Sequence, residues 1–390
     1  IKRRSTCGNL LECLSDWSFN MQSMFVTDVI YFDFKKAFDS VSHQKLLIQL
    51  DVYAISGNLY NWIKAFLSNR RQLVRVSNSS SFSSVTSGVP QGSVLGPTLF
   101  LLFINDVCDI FDGLSVTFKV YADDIKLYTS YSLTETHDDL LCATEKLVHW
   151  ADIWQLTLAT GKCTVCRFQS SKWQTHWSSD LEYKIGDNVL QFSDSVRDLG
   201  VIIDPSLKFE KHIYEIVHKA YIRANLILKS FVSRDCTLLV KAFCTYVRPL
   251  LEYCTPVWTP QYSYLSEKIE KVQRYFTKKL NGMKKLSYNE RLQILGIQSL
   301  ARRRLNYDLT LVYKIIHGLT ECSLIGSLVI QQNSKTRGHD YKLVKPHYSR
   351  DIQKHFFANR VIDTWNKLPP EVVSSETLSG FKYRLSQLHL

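Results

Sequence analysis

The sequence has no apolar run long enough to cross a membrane. Its longest, Val94 to Ile104, is interrupted by Gly96 and Pro97 and falls far short of the roughly 20 residues that a spanning helix needs. Ile1 to Leu14 lacks an apolar core followed by small residues, so no secretory leader is read there. The ten cysteines are scattered without the regular spacing of a disulfide scaffold. That argues against a small stapled extracellular fold and fits a reducing compartment. Cys163 and Cys166 form a single C-x-x-C with no second pair and no histidine set nearby, so buried structural thiols are expected there rather than zinc. There is no internal repeat, and no low-complexity tract beyond the serines at 77–84. The chain opens on Ile1 in a basic segment without a cap. It is expected to be a piece of a longer polypeptide, or a remnant of one.

What is present is a chain of 390 residues, 45% hydrophobic, enough for a large core split over two or more domains. Its net charge of +12 is unevenly placed. Residues 1–204 carry 18 Lys and Arg against 22 Asp and Glu, whereas residues 205–390 carry 30 against 14. An acidic first part and a strongly basic second part suit a protein that grips a polyanion and holds a metal. A solvated lysine-rich helical surface would look the same from charge alone.

The first part alternates strand and helix signals. Asp28 to Phe34 is rich in β-branched and aromatic residues and predicts a buried strand. Helices are expected at Ser42 to Tyr53, with Ser42 as N-cap, and at Leu59 to Leu67. A hairpin is expected from Leu73 to Val76 and Phe82 to Thr86, then a loop Gly88 to Gly96 leading into an apolar helix near Thr98 to Asp106. Two short strands, Val116 to Tyr121 and Ile125 to Tyr128, enclose Ala122, Asp123 and Asp124. A helix follows from Glu135 to Leu156, and strands return at Thr164 to Phe168, Val189 to Phe192 and Leu199 to Ile203. Beyond Pro205 the patterns are long, amphipathic and basic: Leu207 to Phe231, Thr237 to Leu251, Leu265 to Leu280 and Ser299 to Ile316. A polar loop, Gln331 to Asp340, precedes a last helical pair near Ile352–Leu368 and Ser374–Leu388.

Mg²⁺ takes oxygen ligands, and a two-ion site needs carboxylates from separate strands converging at one sheet edge. Asp33 ends one predicted strand, and Asp123 with Asp124 sits at a predicted hairpin tip. Asp138–Asp139 is the same dipeptide, but a solvated helix face explains it. Around Tyr121-Ala122-Asp123-Asp124 both flanking strands are apolar, and buried carboxylates are costly without a metal or hydrogen bonds. An ordinary acidic turn is the plain alternative.

Three segments then carry a resemblance. Asp33-Phe34-Lys35-Lys36-Ala37-Phe38-Asp39 resembles the first catalytic motif of reverse transcriptases. Ser87-Gly88-Val89-Pro90-Gln91-Gly92-Ser93-Val94-Leu95-Gly96-Pro97 resembles their nucleotide-binding loop in the form used by LINE-type (non-LTR, jockey-like) retrotransposons. Tyr121-Ala122-Asp123-Asp124 is similar to the aromatic-Ala-Asp-Asp hairpin, and the three occur in the family's order.

The resemblance implies an RNA-directed DNA polymerase using two Mg²⁺ ions, or Mn²⁺ in their place, an RNA template, a DNA primer and deoxynucleoside triphosphates. It implies that Asp33 and Asp123 hold the metals, with Asp124 as the supporting carboxylate. Phe34, Lys35, Lys36 and Ala37 approach the triphosphate, and Phe38 blocks a ribose 2′-hydroxyl unless it is an ordinary core aromatic. Gly88, Pro90, Gln91 and Gly92 shape the floor beneath the incoming base, where glycine permits close backbone approach. Lys162 stands where the family carries the candidate general acid for pyrophosphate. The family's Asn three residues earlier is Ala159 here, so a plain surface lysine competes. Asn69 to Val74 resembles a segment that is structural or template-facing, and Asp198-Leu199-Gly200-Val201 resembles the start of the primer-gripping hairpin.

The expected fold is α/β: an α+β palm with an antiparallel sheet, as in right-hand polymerases, over residues 1–205, with a fingers remnant at 1–24. A basic helical thumb follows over 206–320, and a helical region of unassigned role over 321–390. Lys278, Lys279, Lys284, Lys285 and Arg302-Arg303-Arg304 are its densest basic clusters, either phosphate contacts or solvated surface. No membrane association is expected, the oligomeric state is open, and for the family the location is intracellular and nuclear. The missing fingers, endonuclease and ribonuclease H carboxylates leave a second reading, a truncated or domesticated nucleic-acid-binding remnant. A group II intron-type enzyme is a third reading, against which the wording of the loop stands.

Overall fold

A computed structural model of the chain describes residues 3–77, 79–132, 138–170, 182–324, 326–331, 338–346, 348 and 351–388. The start of the helix expected at Glu135 and most of the loop at 331–340 lie outside the described residues. Among the described residues no helix is long and apolar enough to cross a membrane. The chain forms two compact units, Met24–Asp194 and Ile1–Ser23 with Ser195–Leu390.

In the unit Met24–Asp194 the strands are β1 (Val26–Phe32), β2 (Arg71–Val76), β3 (Ser79–Ser84), β4 (Thr117–Tyr121), β5 (Asp124–Tyr131), β6 (Thr164–Phe168), β7 (Lys184–Ile185), β8 (Asn188–Val189) and β9 (Gln191–Phe192). Five make one sheet in the order β4-β5-β1-β6-β9, antiparallel except for β9 beside β6. This is the mixed α/β architecture with an antiparallel-rich sheet that the sequence predicts. Strand β1 lies at its centre and is buried along almost its whole length, which is why its sequence, Val-Thr-Asp-Val-Ile-Tyr-Phe, shows little polar alternation. Its pairing with β5 runs from Val26↔Tyr131 to Phe32↔Ile125, and with β6 from Thr27↔Phe168 to Tyr31↔Thr164.

Side chains alternate between faces along a strand. Ile30 and Phe32 of β1, Ile125 and Leu127 of β5 and Val165 of β6 look toward one core, filled from the helices by Leu46, Leu50, Leu99, Phe100, Leu147 and Trp150. Each such side chain contributes about 1.5–3 kcal/mol by leaving water. Tyr31 and the position after Phe32 therefore belong to the opposite face. The far end of β1 is pinned by charge. Asp28, fully buried, accepts two hydrogen bonds from Arg167, at 2.7 and 2.8 Å, and one each from the hydroxyls of Tyr131 (2.7 Å) and Tyr183 (2.8 Å). Four donors on one carboxylate satisfy a charge that would be costly there unpaired.

The second unit opens with a helix, Thr6–Gln22, capped by Ser5 and burying Leu10, Leu11, Leu14 and Trp17. For this stretch the sequence reading expects a fingers remnant, with no secondary structure assigned to it. Here its apolar stripe packs on the short helices Thr255–Trp258 and Asp351–His355 of its own unit. The hairpin β10 (Val196–Asp198) and β11 (Val201–Ile203) precedes helices Glu210–Ser230, Cys236–Tyr246, Ser263–Lys278, Tyr288–Leu295 and Leu300–Ile316. The single helix expected over Thr237 to Leu251 is two, because Pro249 lacks the N–H that would continue it; the second is Arg248–Glu252. The helix expected near 352–368 is likewise three short ones.

Candidate active site

The hairpin β4–β5 closes through Ala122 and Asp123, with Tyr121 paired to Asp124. Ala122 adopts φ +55°, a left-handed conformation that costs an L-residue about 1–2 kcal/mol. Strain of this kind persists where the surrounding structure dictates it, here the paired strands on either side, and it clusters at functional sites. Phe32↔Ile125 is the last rung between β1 and β5, and the same register continued by one residue sets Asp33 opposite Asp124. Alternation places both on the sheet face away from the Phe32 core. The two acidic segments, 90 residues apart, thus end at one sheet edge.

A second loop meets Asp33 from the other side. The backbone of 33–35 pairs with 157–159: the Lys35 N–H donates to the Thr157 carbonyl (2.8 Å), the Ala159 N–H to the Asp33 carbonyl (2.7 Å), and Phe34 bridges Leu158. The loop then carries Lys162 to 3.6 Å from Asp33 Oδ1. The Asp33 N–H faces Cys163 Sγ at 3.5 Å. Burial pushes the Cys163 thiol up, so a neutral thiol lies against the Asp33 backbone. Cys163 and Cys166 are both buried, and neither is in a disulfide.

Residues 35–40 fold back on the loop 87–96. The Val89 N–H donates to the Phe38 carbonyl (2.9 Å) and the Gly88 N–H to the Val41 carbonyl (2.8 Å). Gly88, at φ +86°, has no space for a side chain: a Cβ there would lie 2.8 Å from both Cα and O of Asp39. Gly96 is similarly closed in by the Pro90 carbonyl, 2.7 Å from its would-be Cβ. Lys36 turns the chain at φ +51° and, with Lys35, remains exposed; Ala37 and Phe34 are buried. Phe38 is half-buried and stacks on Phe100, with centroids 4.1 Å apart and planes 18° from parallel. Pro90 is partly exposed and Gln91 and Gly92 are exposed.

Two residues outside the sequence-derived site organise this surface. Asp39 Oδ1 accepts from Gln91 Nε2 (2.8 Å), and its carbonyl accepts from the Ser87 hydroxyl (2.9 Å). His43 Nε2 lies 2.8 Å from the Gly88 carbonyl, so that nitrogen carries the proton. Asp39 closes the first motif and was visible as such. His43 looks like any polar residue of a first helical turn, and no local signal marks it.

The donors at the sheet edge are hard carboxylate oxygens, suited to Mg²⁺. Among the described residues no group of three or more His, Cys, Asp or Glu side chains is close enough to hold an ion by itself. A carboxylate pair completed by substrate phosphates and water is the arrangement Mg²⁺ ordinarily takes. Asp138 and Asp139 open the helix Asp138–Trp154, where Asp139 caps the Ser115 N–H (3.0 Å).

In the second unit Lys278, Lys279, Lys284 and Lys285 are exposed. The cluster Arg302–Arg304 is not a phosphate-facing surface. Arg303 forms an ion pair with Glu252, Arg304 is buried and donates to Ser266 Oγ (2.8 Å), and Arg302 donates to the carbonyls of Leu385 (3.1 Å) and Leu388 (2.8 Å). Consecutive arginines on a helix point in different directions, and each has met a partner inside the protein.

Residues 19–203 match the family model of the reverse transcriptase (RNA-dependent DNA polymerase). The chain is 31% identical over 264 residues to the RNA-directed DNA polymerase from mobile element jockey of Drosophila funebris, covering 65% of this chain and 28% of that protein. It is 28% identical over 242 residues to the probable RNA-directed DNA polymerase from transposon BS of Drosophila melanogaster, covering 59% and 26%. The chain thus spans less than a third of the length of these relatives. The apo telomerase structure from Candida tropicalis is 10% identical, with a TM-score of 0.40 over 75% of this chain and 46% of that one, too distant for inference. Residues 19–203, just under half of the chain, thus carry a reverse transcriptase domain similar to that of the jockey-like, LINE-type retrotransposon polymerases.

Proposed function

We propose that the chain is an RNA-directed DNA polymerase that adds deoxynucleotides to a primer 3′-hydroxyl along an RNA template. The observation that carries this reading is the register of β1 with β5, which brings Asp33 and the Asp123–Asp124 turn to one sheet edge. Asp33 and Asp123 would hold two divalent ions, with Asp124 as the supporting carboxylate. Bound there, such ions activate the primer hydroxyl and neutralise charge on the triphosphate. Lys35 and Lys36, both exposed, would approach the phosphates of the incoming nucleotide. Asp39 fixes the Gln91 amide beside the pocket for the incoming base, and Phe38, held by Phe100, limits room at the ribose. Lys162, beside Asp33, is placed to give a proton to departing pyrophosphate.

The test is primer extension by the full chain on an RNA template with a DNA primer and Mg²⁺, against Asp123→Asn. Incorporation should fall by about 10³-fold in the variant with its melting temperature unchanged. Extension that survives Asp123→Asn would remove the catalytic assignment. Hybrid binding without incorporation by the unaltered chain would instead identify a nucleic-acid-binding remnant.

A further inference from the structure

The stretch 52–105 contains no Asp or Glu, although it lies in the acidic half of the chain; its charges are Lys64, Arg70, Arg71 and Arg75. It also carries apolar surface that its own fold does not cover. Trp62, on the helix Gly57–Leu67, is 54% exposed, and Phe82, on β3, is 69% exposed. These aromatics are ordered against cations. Trp62 stacks on Phe66 one helical turn later (centroids 6.1 Å apart, planes 23° from parallel), and the Arg70 guanidinium lies 5.3 Å over the Phe66 ring. Trp62, Phe66 and Arg70 form a column that ends at the base of the hairpin β2–β3, where the Val85 N–H donates to the Arg70 carbonyl (2.9 Å).

The hairpin continues the pattern. Leu73 is directly opposite Phe82, and strand alternation puts Arg71 and Arg75 on that same face, two residues to either side. Every residue of β2 is exposed. An exposed aromatic flanked by two guanidiniums, with no carboxylate in the segment to repel a polyanion, has the two parts of a single-strand site: a π-surface for bases and cations for phosphates.

We propose that the Trp62–Phe66–Arg70 column and the Arg71–Phe82–Arg75 face bind single-stranded nucleic acid, apart from the residues assigned to nucleotidyl transfer. A protein partner is the weaker reading, because three cations and no anion would be an unusual rim for an apolar protein contact. The site does not depend on the polymerase reading, since stacking and phosphate contacts require neither metal nor primer.

The test is fluorescence anisotropy of the full chain with a labelled 12-nucleotide RNA, the matching DNA strand and the corresponding duplex, over a salt titration. Trp62→Ala should weaken single-strand binding by about 5- to 150-fold, the loss expected for one stacked base, and Trp62→Phe should restore most of it. Arg71→Glu with Arg75→Glu should lower the slope of log affinity against log salt by about 1–2. Asp123→Asn should change neither, which separates this site from failure of the catalytic reading. RNA and DNA strands binding alike would place recognition in bases and phosphates, and RNA alone would add the 2′-hydroxyl; either supports the site. If Trp62→Ala and the double charge reversal, both shown to be folded by circular dichroism, leave single-strand affinity and salt slope unchanged, the proposal is overturned and the face is left to a protein partner.

Discussion

Lys162 Nζ stands 3.6 Å from Asp33 Oδ1, on a loop that crosses the end of β1 from the β6 side while the Asp123–Asp124 turn reaches the same end from β5. Both side chains are largely solvated, 70% and 43% exposed, so the ion pair itself is worth no more than about 1 kcal/mol. Its interest is chemical. Lys162→Ala should leave the melting temperature nearly unchanged while lowering kcat for primer extension by about 10²- to 10³-fold. Lys162→Arg separates the two roles of the side chain. It keeps the charge beside Asp33 but donates a proton poorly, so activity should stay low. Recovery of kcat in Lys162→Arg would show that the charge alone matters.

Gly88 and Gly92 both have positive φ, yet substitution should affect them differently. At Gly88 a methyl group meets the Asp39 backbone at 2.8 Å, whereas at Gly92 nothing lies within 4 Å. Gly88→Ala should cost about 2–4 kcal/mol, from left-handed strain plus displacement of the Asp39 backbone. Gly92→Ala carries the strain alone, about 1–2 kcal/mol. Urea unfolding midpoints of the two variants measure the difference, and equal losses would remove the steric account of Gly88.

The sheet was legible in the sequence because its pattern is local: apolar strands and an acidic turn at 122–124 fall within a few residues of their expected limits. The meeting of Asp33 with that turn came from the motifs, and register supplies its physical cause. What stayed hidden depends on distant partners. Nothing near Arg303 signals that Glu252, 51 residues earlier, will pair with it. Nothing near His43 points to the Gly88 carbonyl. The helix Thr6–Gln22 was missed because its apolar stripe is interleaved with Glu12, Ser15 and Ser18, which are themselves buried. Two such polar residues are satisfied in place: Ser18 donates to the Ser15 carbonyl, and Glu12 accepts from the Ser323 N–H (2.9 Å).

His212 should make the second unit acid-sensitive. It is buried under Trp258, its Nδ1 accepts from the Ile202 N–H (3.2 Å), and burial lowers its pKa to about 4, with Arg197 and Lys219 adding to the fall and Glu215 opposing it. A folded-state value below the unfolded one, near 6.5, means that the unfolded chain takes up the proton first as pH falls. The stabilisation is complete above about pH 6.5 and is lost toward pH 4, amounting to about 3 kcal/mol. Denaturant unfolding at pH 7 and pH 4.5 should show this loss, and His212→Asn should remove most of the pH dependence. A variant with the same slope as the parent would assign acid sensitivity elsewhere.

The basic residues of the second unit divide by partner. Arg303 is mostly buried and bound to Glu252, whose largely buried carboxylate also meets Arg248 (3.5 Å) and accepts from Tyr307 (3.0 Å), so Arg303→Ala leaves that carboxylate with a weaker set of partners. It should cost about 1–3 kcal/mol of stability while leaving the salt dependence of nucleic-acid binding unchanged. Lys284 and Lys285 are exposed just after the helix Ser263–Lys278. Replacing both with alanine should leave stability within about 0.5 kcal/mol of the parent and lower the salt slope by about 1–2 if each meets a phosphate. Positive charge removed from the two places thus gives opposite signatures, one in unfolding and one in binding. A fall in salt slope from Arg303→Ala without loss of stability would mean that the arginine faces solvent and nucleic acid after all, and that the Glu252 pair does not form in solution.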